Sequence, residues 1–217
     1  MIKSVIFDFN GTLFLDNDKH VKAWSQISQI LRGRPITEQE LHEKMNGVNN
    51  VQIVRYLNHG NEEPALEEEY SLKKEALYRQ FCQEDVENFH LIKGAEALFD
   101  DLKASRIPFT IASASIKPNI DFFVESFHLY KWIDPATIVY DDGTYPDKEA
   151  MFKEAAKRLH RPIEEFTVIE DSFAGVSNAI KAGVQDIRLL DSGHIAPALG
   201  DIPQIRQVVE DMSEIER

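Results

Sequence analysis

The sequence predicts an α/β fold, with a doubly wound parallel sheet as its core and a helical segment inserted after the first strand. Short apolar runs rich in Val, Ile and Phe recur along the chain without clean polar alternation. This pattern is typical of strands that are covered on both faces of a parallel sheet. Amphipathic stretches lie between the runs, and an alternation of strands with helices indicates right-handed crossovers within one sheet.

Five runs are predicted to be strands of the core, and four amphipathic stretches are predicted to be its helices. The predicted strands are Ser4–Phe9, Phe109–Ala112, Thr137–Tyr140, Thr167–Ile169 and Asp186–Leu190. The predicted helices are Gly94–Ser105, Pro118–Phe127, Lys148–His160 and Phe173–Ala182, the last of which is ended by Gly183.

One interval, from about residue 16 to residue 87, contains helical periodicity and no strand-like run. Thr37 and Glu40 have the spacing of a capping box, which marks a helix start within it. The predicted helices of this interval are Lys19–Leu31, Thr37–Met45, Val51–Asn58 and Ala65–Gln83. We therefore predict a core domain of residues 1–15 and 88–217 and an inserted four-helix cap domain of residues 16–87.

Net charge, apolar runs and cysteine content indicate which partners the protein can bind and in which compartment it functions. The formal net charge of -13 argues against nucleic acids and membrane surfaces, because both are polyanions. No apolar run approaches the ~18 residues that a membrane span needs. Cys82 is the only cysteine, so no intrachain disulfide can form, and the first residues show no signal-peptide pattern. These features predict a cytoplasmic protein.

Residues that can carry chemistry follow the predicted strands, at the edge where ligands bind in open α/β sheets. The first strand carries Asp8 near its end and is followed by Asn10, Gly11 and Thr12. The second is followed by Ser113, Ala114 and Ser115 and the fourth by Glu170 and Asp171, and Lys148 lies beyond the third. Crowded carboxylates repel one another unless a cation lies among them, and hard oxygen ligands favour Mg²⁺. Such a site suits phosphoryl transfer through an aspartyl-phosphate.

Five stretches resemble the haloacid dehalogenase superfamily, particularly its β-phosphoglucomutase-like branch. They are DFNGT at 8–12, HVKAW at 20–24, IASAS at 111–115, the region around Lys148, and IEDSFAGVSNAIKAG at 169–183. The resemblance implies a Rossmann-like core with a helical cap, Mg²⁺ as the cofactor and a small phosphorylated metabolite, such as a sugar phosphate, as the substrate.

The resemblance also implies the roles of individual residues. Asp8 would be the nucleophile and a metal ligand, Asp171 would bind the metal with support from Glu170, and the Asn10 position would contribute its backbone carbonyl. Gly11, Ser113, Ala114 and Lys148 would hold the phosphoryl group. For Lys148, a solvated lysine at a helix start is the alternative. His20, Gly47, Asn50 and Lys74 would be cap residues that contact substrate, and a solvated helix face is the alternative for Lys74.

Three features depart from the family pattern. Asn10 stands where the family usually has a second aspartate, which protonates the leaving group and then deprotonates the attacking water. The sequence PDKEAMF around Lys148 is about two residues shorter than the usual loop. In GVNN at 47–50, Asn49 and Asn50 stand where a serine and an arginine are common, and that arginine would hold a second phosphate.

The predicted function is therefore a slow Mg²⁺-dependent phosphatase, and we expect a monomer whose cap opens to admit substrate. A phosphomutase is one alternative, and a non-catalytic phosphate-binding or sensor protein is another. A phosphonate hydrolase would need a cap lysine where Asn50 stands, and a haloacid dehalogenase would not need the Glu170–Asp171 pair. His20 could supply the missing proton; the alternative is that His20 positions the hinge or binds substrate. Separately, deamidation at Asn10–Gly11 could restore an aspartate.

Overall fold

A computed structural model describes residues 1–45 and 48–216 of the chain. The chain divides into two compact units. The core unit comprises Met1–Leu15 and the chain from His90 onward, and the helical unit comprises Asp16–Phe89. Among the described residues, no helix combines the length and the apolar character that crossing a membrane requires.

The core unit is built on a six-stranded sheet in which every neighbouring pair of strands is parallel. Its order is β3-β2-β1-β4-β5-β6, so the first strand lies in the middle, as a doubly wound fold requires. The strands are β1 (Ser4–Phe7), β2 (Phe109–Ile116), β3 (Val139–Asp141), β4 (Phe166–Glu170), β5 (Asp186–Leu190) and β6 (Ile205–Val209).

Two strands end two or more residues away from the predicted position, and both ends lie at the edge where the polar residues collect. Strand β1 ends at Phe7 because the next residues turn tightly, with the N–H groups of Leu13 and Phe14 both donating to the carbonyl of Phe9. Strand β2 continues to Ile116 instead of ending at Ala112, and its register against β3 shifts between Ser113 and Ile116. The irregular backbone changes the direction of the side chains in this part of β2.

The inserted helical unit contains α1 (Asn17–Arg32), α2 (Glu38–Glu40), α3 (Asn50–Leu57) and α4 (Pro64–Glu84). The Thr37–Glu40 capping box is present and starts α2, but α2 is three residues long and runs into a π-helical turn at Leu41–Met45. The predicted continuous α-helix Thr37–Met45 is therefore wrong in its second half. Trp24, Ile27, Val54 and Leu57 are among the residues that form an apolar core within this unit.

The remaining helices belong to the core unit and cover both faces of the sheet. They are α5 (Ala95–Ala104), α6 (Lys117–Ser126), α7 (Lys148–Arg158), α8 (Phe173–Ala182) and α9 (Ala196–Leu199). Aliphatic residues of α7 and α8 pack with those of the strands in one cluster that includes Ile6 and Val168. On the other face Phe7 meets Phe99 of α5 with ring centroids 5.2 Å apart, and Phe9 stacks on Phe123 of α6 at 4.3 Å.

Candidate active site

The turn after β1 places a buried carboxylate at the edge of the sheet. The N–H of Asp8 donates to the carbonyl of Ile169 at 2.9 Å, which extends the pairing of β1 with β4 by one residue. Gly11 follows with φ at +77°, a left-handed conformation that favours glycine, and its N–H donates to the carbonyl of Phe14 at 2.8 Å. A Cβ on Gly11 would also overlap Oδ2 of Asp171. Glycine is therefore required here both for backbone conformation and for space.

The end of β4 supplies two more carboxylates. Glu170 is fully buried, and its Oε2 accepts hydrogen bonds from the N–H groups of Asp171 and Ser172, at 2.7 and 2.8 Å, and from the hydroxyl of Ser172 at 3.0 Å. The same Ser172 hydroxyl accepts from the N–H of Gly175 and caps α8. A Cβ on Gly175 would overlap the carboxylate of Glu170, although the backbone of this glycine is ordinary. Glu170 is thus held rigidly by the first turn of α8.

Lys148 lies between two of these carboxylates. Its Nζ is 2.7 Å from Oδ1 of Asp8 and also contacts Oε1 of Glu170. Lys148 is the first residue of α7, and Asp147 caps that helix by accepting a hydrogen bond from the N–H of Ala150 at 3.0 Å. Despite the shortened loop, the structure therefore brings Lys148 to the same edge of the sheet as Asp8 and Glu170 and excludes a solvated lysine.

Asp8, Glu170 and Asp171 form a group that could hold a metal ion, because one ligand oxygen from each lies within 4.8 Å of the others. The hydroxyl of Thr12 joins this group, at 3.2 Å from Oδ1 of Asp171 and 3.4 Å from Oδ2 of Asp8. All of these atoms are hard oxygen donors, which Mg²⁺ prefers. The donor set therefore fits the cation that the sequence predicts.

The electrostatics of the group show an excess of negative charge. Burial raises the pKa of Asp8 to about 6, although the charge of Lys148 opposes the shift. Burial, followed by the charges of Asp8 and Glu170, raises the pKa of Asp171 to about 8. Burial alone would lower the pKa of Lys148, but its two carboxylate partners outweigh burial and raise it. One lysine does not balance the two buried carboxylates of Asp8 and Glu170 and the half-buried one of Asp171, and a divalent cation would relieve the repulsion.

Asn10 is held by two hydroxyl groups from the end of β2. Its side-chain Oδ1 accepts hydrogen bonds from Oγ of Ser115 at 2.7 Å and from Oγ of Ser113 at 3.2 Å. The N–H of Ser115 in turn donates to Oγ of Ser113 at 3.2 Å. Ser113 is buried, whereas Ala114 is exposed and can offer only its backbone to a ligand. The two serines therefore bind the asparagine that stands in the usual place of an aspartate.

Three of the predicted cap residues lie together within the helical unit. Nζ of Lys74 is 2.8 Å from Nδ1 of His20 and 2.8 Å from Oε1 of Glu75. Asn50 donates to the same oxygen of Glu75 at 2.7 Å, and the ring of His20 stacks on Tyr78 with centroids 4.0 Å apart.

The burial of Lys74 excludes the solvated helix face that the sequence left open for it. The neighbouring Lys73, by contrast, is exposed. Gly47, the fourth predicted cap residue, lies outside the described residues, so its place in the substrate loop stays a prediction.

Four polar residues of these clusters have contacts that sequence reasoning did not assign. Thr12 and Ser115 follow predicted strands, but no motif said that they would contact Asp171 and Asn10. Ser172 lies within the IEDS stretch, where a helix cap was one foreseeable role for a serine. Glu75 follows Lys74 in the sequence, and only its burial in the structure marks it out. Thus strand position was a signal for Thr12 and Ser115, position before a helix was a signal for Ser172, and no signal marked Glu75.

Comparison with known proteins agrees with this geometry. The family model of haloacid dehalogenase-like hydrolases matches residues 5–189 of the chain. The crystal structure of a HAD hydrolase, family IA, variant 3, from Entamoeba histolytica is 30% identical with a TM-score of 0.91, and the match covers 99% of this chain and 96% of that one.

Two further solved structures share the fold. A mutant CbbY from Rhodobacter sphaeroides in complex with xylulose-(1,5)bisphosphate has a TM-score of 0.80 at 17% identity over 99% of this chain and 96% of that one. A β-phosphoglucomutase from Clostridium difficile has a TM-score of 0.77 at 19% identity, and the match covers 100% of this chain and 94% of that one. The family match spans most of the chain and includes every element of the acidic group, so this protein belongs to the haloacid dehalogenase-like hydrolase family.

Proposed function

We propose that this protein is a Mg²⁺-dependent phosphatase that acts on a small phosphorylated metabolite, such as a sugar phosphate, through an aspartyl-phosphate at Asp8. The observation that carries the proposal is the convergence of Asp8, Glu170 and Asp171, with ligand oxygens within 4.8 Å of one another, and the contact of Lys148 Nζ with the first two. Among phosphoryl-transfer sites, a carboxylate held by a lysine beside further carboxylates suits nucleophilic attack on a phosphoryl group that a metal ion helps to bind.

Asp8 is the proposed nucleophile. One of its oxygens attacks phosphorus, the bond from phosphorus to the leaving oxygen breaks, and the electron pair departs with that oxygen. Lys148, 2.7 Å from Asp8, would hold the phosphoryl oxygens as their charge develops, together with the hydroxyl of Ser113. Gly11 and Ala114 would line the phosphoryl group through their backbones. The N–H of Gly11 already donates to Phe14, so Gly11 would contribute mainly by the close approach that its missing side chain allows.

The proposed metal site consists of Asp8, Asp171 and the backbone carbonyl of Asn10. Bound Mg²⁺ would offset the repulsion between the Asp8 carboxylate and an anionic phosphoryl group. Glu170 would support the site, since it is fully buried and its Oε2 fixes the N–H of Asp171 at 2.7 Å.

Asn10 determines the speed and the selectivity that we expect. An amide can donate hydrogen bonds but cannot transfer a proton, and general acid–base catalysis is worth about 10²–10⁴-fold. This loss corresponds to roughly 3–5 kcal/mol of barrier. The enzyme should therefore favour aryl or acyl phosphates, whose leaving groups need little protonation, and its phosphoenzyme should be long-lived.

The proposal is tested by phosphate release from a matched aryl phosphate and alkyl phosphate, with Mg²⁺ and with EDTA. We expect Mg²⁺-dependent release that is faster from the aryl phosphate, and none from the Asp8→Asn variant. Equal release from both substrates would refute the role given to Asn10. Release by Asp8→Asn at the wild-type rate would refute the nucleophile.

The deamidation of Asn10 is opposed by the turn that follows it. Succinimide formation requires the backbone nitrogen of Gly11 to attack Cγ of Asn10, and that nitrogen is engaged with the carbonyl of Phe14 at 2.8 Å. The reaction would therefore need the turn to open first. We propose that the activity belongs to the asparagine form.

A phosphate-binding or sensor protein is the second candidate, and the amide of Asn10 is the observation that favours it. The CbbY structure with a bound sugar bisphosphate carries an aspartate-to-asparagine mutation, which is in keeping with binding at a weakened site. Turnover separates the two: a sensor stops after one phosphoryl group, whereas an enzyme releases phosphate repeatedly. A phosphomutase would instead isomerise its substrate when an activating bisphosphate is added.

The helical unit would serve as the cap, with Asn50 and Lys74 as its candidate substrate residues. His20 would position Lys74 or supply a proton. If Lys74 binds substrate, Lys74→Met should raise KM more than it lowers kcat, as measured with the aryl phosphate. An unchanged KM would remove Lys74 from the substrate residues.

A further inference from the structure

The cap cluster, which consists of His20, Asn50, Lys74 and Glu75 of the helical unit, is organised around one carboxylate. Oε1 of Glu75 is 2.8 Å from Nζ of Lys74 and accepts a hydrogen bond from the side-chain amide of Asn50 at 2.7 Å. Lys74 and Glu75 are buried and form an ion pair, whereas His20 and Asn50 are half-buried. The ammonium group of the cap cluster is therefore neutralised by a carboxylate of the same cluster.

A further carboxylate borders the cap cluster. Oδ2 of Asp16 is 3.4 Å from Nε2 of His20 and accepts a hydrogen bond from the hydroxyl of Tyr78. Asp16 is buried, so its charge is only weakly screened by salt. The nearby Lys19 has an ammonium that lies between two other carboxylates, at 2.9 and 2.6 Å. The ammonium of the cap cluster is thus accompanied by two carboxylates and provides no excess of positive charge.

This balance of charge determines which chemical group the cap cluster can bind. A phosphate group carries a charge of about −1.5 to −2 at pH 7, so a site that binds it needs a local excess of positive charge. A sugar hydroxyl has no net charge and needs only hydrogen-bond partners. The cap cluster therefore suits hydroxyl groups better than a second phosphate.

A second phosphate would also have to compete with Glu75 for the ammonium of Lys74. If Nζ of Lys74 turned to a phosphate, the 2.8 Å contact would break and the buried carboxylate would lose this cation. Removing the partner of a buried charge is strongly unfavourable. The ion pair thus opposes phosphate binding in two ways, by its lack of net charge and by the cost of opening it.

We propose that Glu75 is a specificity-determining residue that cancels the charge of Lys74 and so restricts the substrate to a monophosphate whose remaining part is neutral and hydroxylated. The inference rests on the proposed function, in which the helical unit serves as the cap. It adds a physical reason for this chain to reject bisphosphorylated sugars of the kind that is bound in the CbbY structure.

The test compares the binding of xylulose 5-phosphate with that of xylulose 1,5-bisphosphate by isothermal titration calorimetry in the presence of Mg²⁺. The Asp8→Asn background prevents turnover, and its effect on the phosphate common to both ligands cancels in the ratio of the two Kd values. With Glu75 present, we expect the bisphosphate to bind no more tightly than the monophosphate. Glu75→Gln keeps the length of the side chain and should improve bisphosphate binding about tenfold relative to the monophosphate, the scale of one hydrogen bond to a charged group.

Two variants separate this effect from a general change of charge. Glu68→Gln removes an exposed carboxylate from the same helix and should leave the ratio unchanged. Lys74→Met combined with Glu75→Gln removes the ammonium that Glu75→Gln uncovers, so the gain should disappear. An equal gain in Glu68→Gln, or a gain that survives the loss of Lys74, would overturn the inference.

The results that would overturn the inference differ from those that would overturn the proposed function. Monophosphate binding with a ratio that Glu75→Gln leaves unchanged would overturn the inference alone. Tighter binding of the bisphosphate with Glu75 present would also overturn it, and this measurement does not depend on how any cap variant folds. Binding of neither ligand in any variant would overturn the inference and the proposed function together.

Discussion

Asn10 is the residue whose replacement changes the chemistry most while changing the shape least. Asn10→Asp exchanges an amide for a carboxylate of nearly the same size, and the hydroxyls of Ser113 and Ser115 can donate to either group. Because the carboxylate can carry a proton in both half-reactions, we expect phosphate release to rise about 10²–10⁴-fold. Steady-state release measured beside the decay of the isolated phosphoenzyme checks this prediction. Equal rates in the two proteins would refute it.

Gly175 is a residue whose importance comes from space alone. Gly175→Ala would drive a methyl group into the carboxylate of Glu170, which is fully buried. We expect a loss of about 1–3 kcal/mol in the free energy of unfolding, typical of overpacking, and weaker Mg²⁺ binding as Glu170 is displaced. Denaturant unfolding and metal titration measure the two effects. Gly193→Ala is the control, since its Cβ would meet only an ordinary contact with Ile195; similar losses in both variants would contradict the steric argument.

At the scale of the element, the start of α7 couples a helix cap to a site residue. Asp147 accepts from the N–H of Ala150 at 3.0 Å, and Lys148 is the next residue. We expect Asp147→Ala to cost about 0.5–2 kcal/mol of stability and to lower kcat/KM as the first turn frays around Lys148.

The control for this prediction is Thr37→Ala, which removes the cap of α2 in the helical unit. It should cost a comparable amount of stability without the same loss of kcat/KM. Denaturant unfolding and aryl phosphate hydrolysis give the two quantities. If both variants lose activity equally, or if Asp147→Ala loses none, the link between the cap and Lys148 is wrong.

The sequence predicted the four inner strands of the sheet and one of its two edge strands, β3, but not the other. Helix α8 begins at Phe173 and ends at Ala182 as predicted, because Ser172 and Gly183 mark its two ends. Strand β6, Ile205–Val209, was not predicted: it is a half-exposed edge strand whose residues alternate in burial, so it lacks the apolar run of a central strand. The π-helical turn at Leu41–Met45 was predicted as α-helix, because hydrophobic periodicity does not distinguish a short π-helical turn from an α-helix.

At the scale of the whole molecule, binding of Mg²⁺ should stabilise the fold. Two buried carboxylates and one half-buried carboxylate, within 4.8 Å of one another, cost electrostatic free energy that a divalent cation offsets. A cation at 100 times its Kd contributes about 2.7 kcal/mol, which corresponds to roughly 5–10 °C in Tm for a chain of this size.

Thermal unfolding with and without Mg²⁺ measures this shift. We expect Asp171→Asn to abolish most of it. Asp201→Asn removes an exposed acid outside the group and should keep the shift. A shift that survives Asp171→Asn would place the cation elsewhere.

The acidic group could be predicted from sequence because it follows from topology: parallel strands bring their carboxyl ends to one edge, so Asp8, Glu170 and Asp171 had to lie near one another. The partners of Asn10 could not be predicted in the same way. Ser115 is 105 positions away, and its contact depends on the irregular end of β2, which the sequence does not reveal. Whether Lys148 lies at the site or in solvent could not be predicted either, because the loop before α7 is shorter than the usual one.

The central claim is that Asp8 accepts a phosphoryl group that Asn10 cannot help to hydrolyse. The most direct test is the intact mass of the protein over time after it is mixed with acetyl phosphate and Mg²⁺. The account predicts an adduct of one phosphoryl group that persists in the wild type, decays quickly in Asn10→Asp and never forms in Asp8→Asn. Steady phosphate release by the wild type without a detectable adduct, or an adduct that forms in Asp8→Asn, would contradict it.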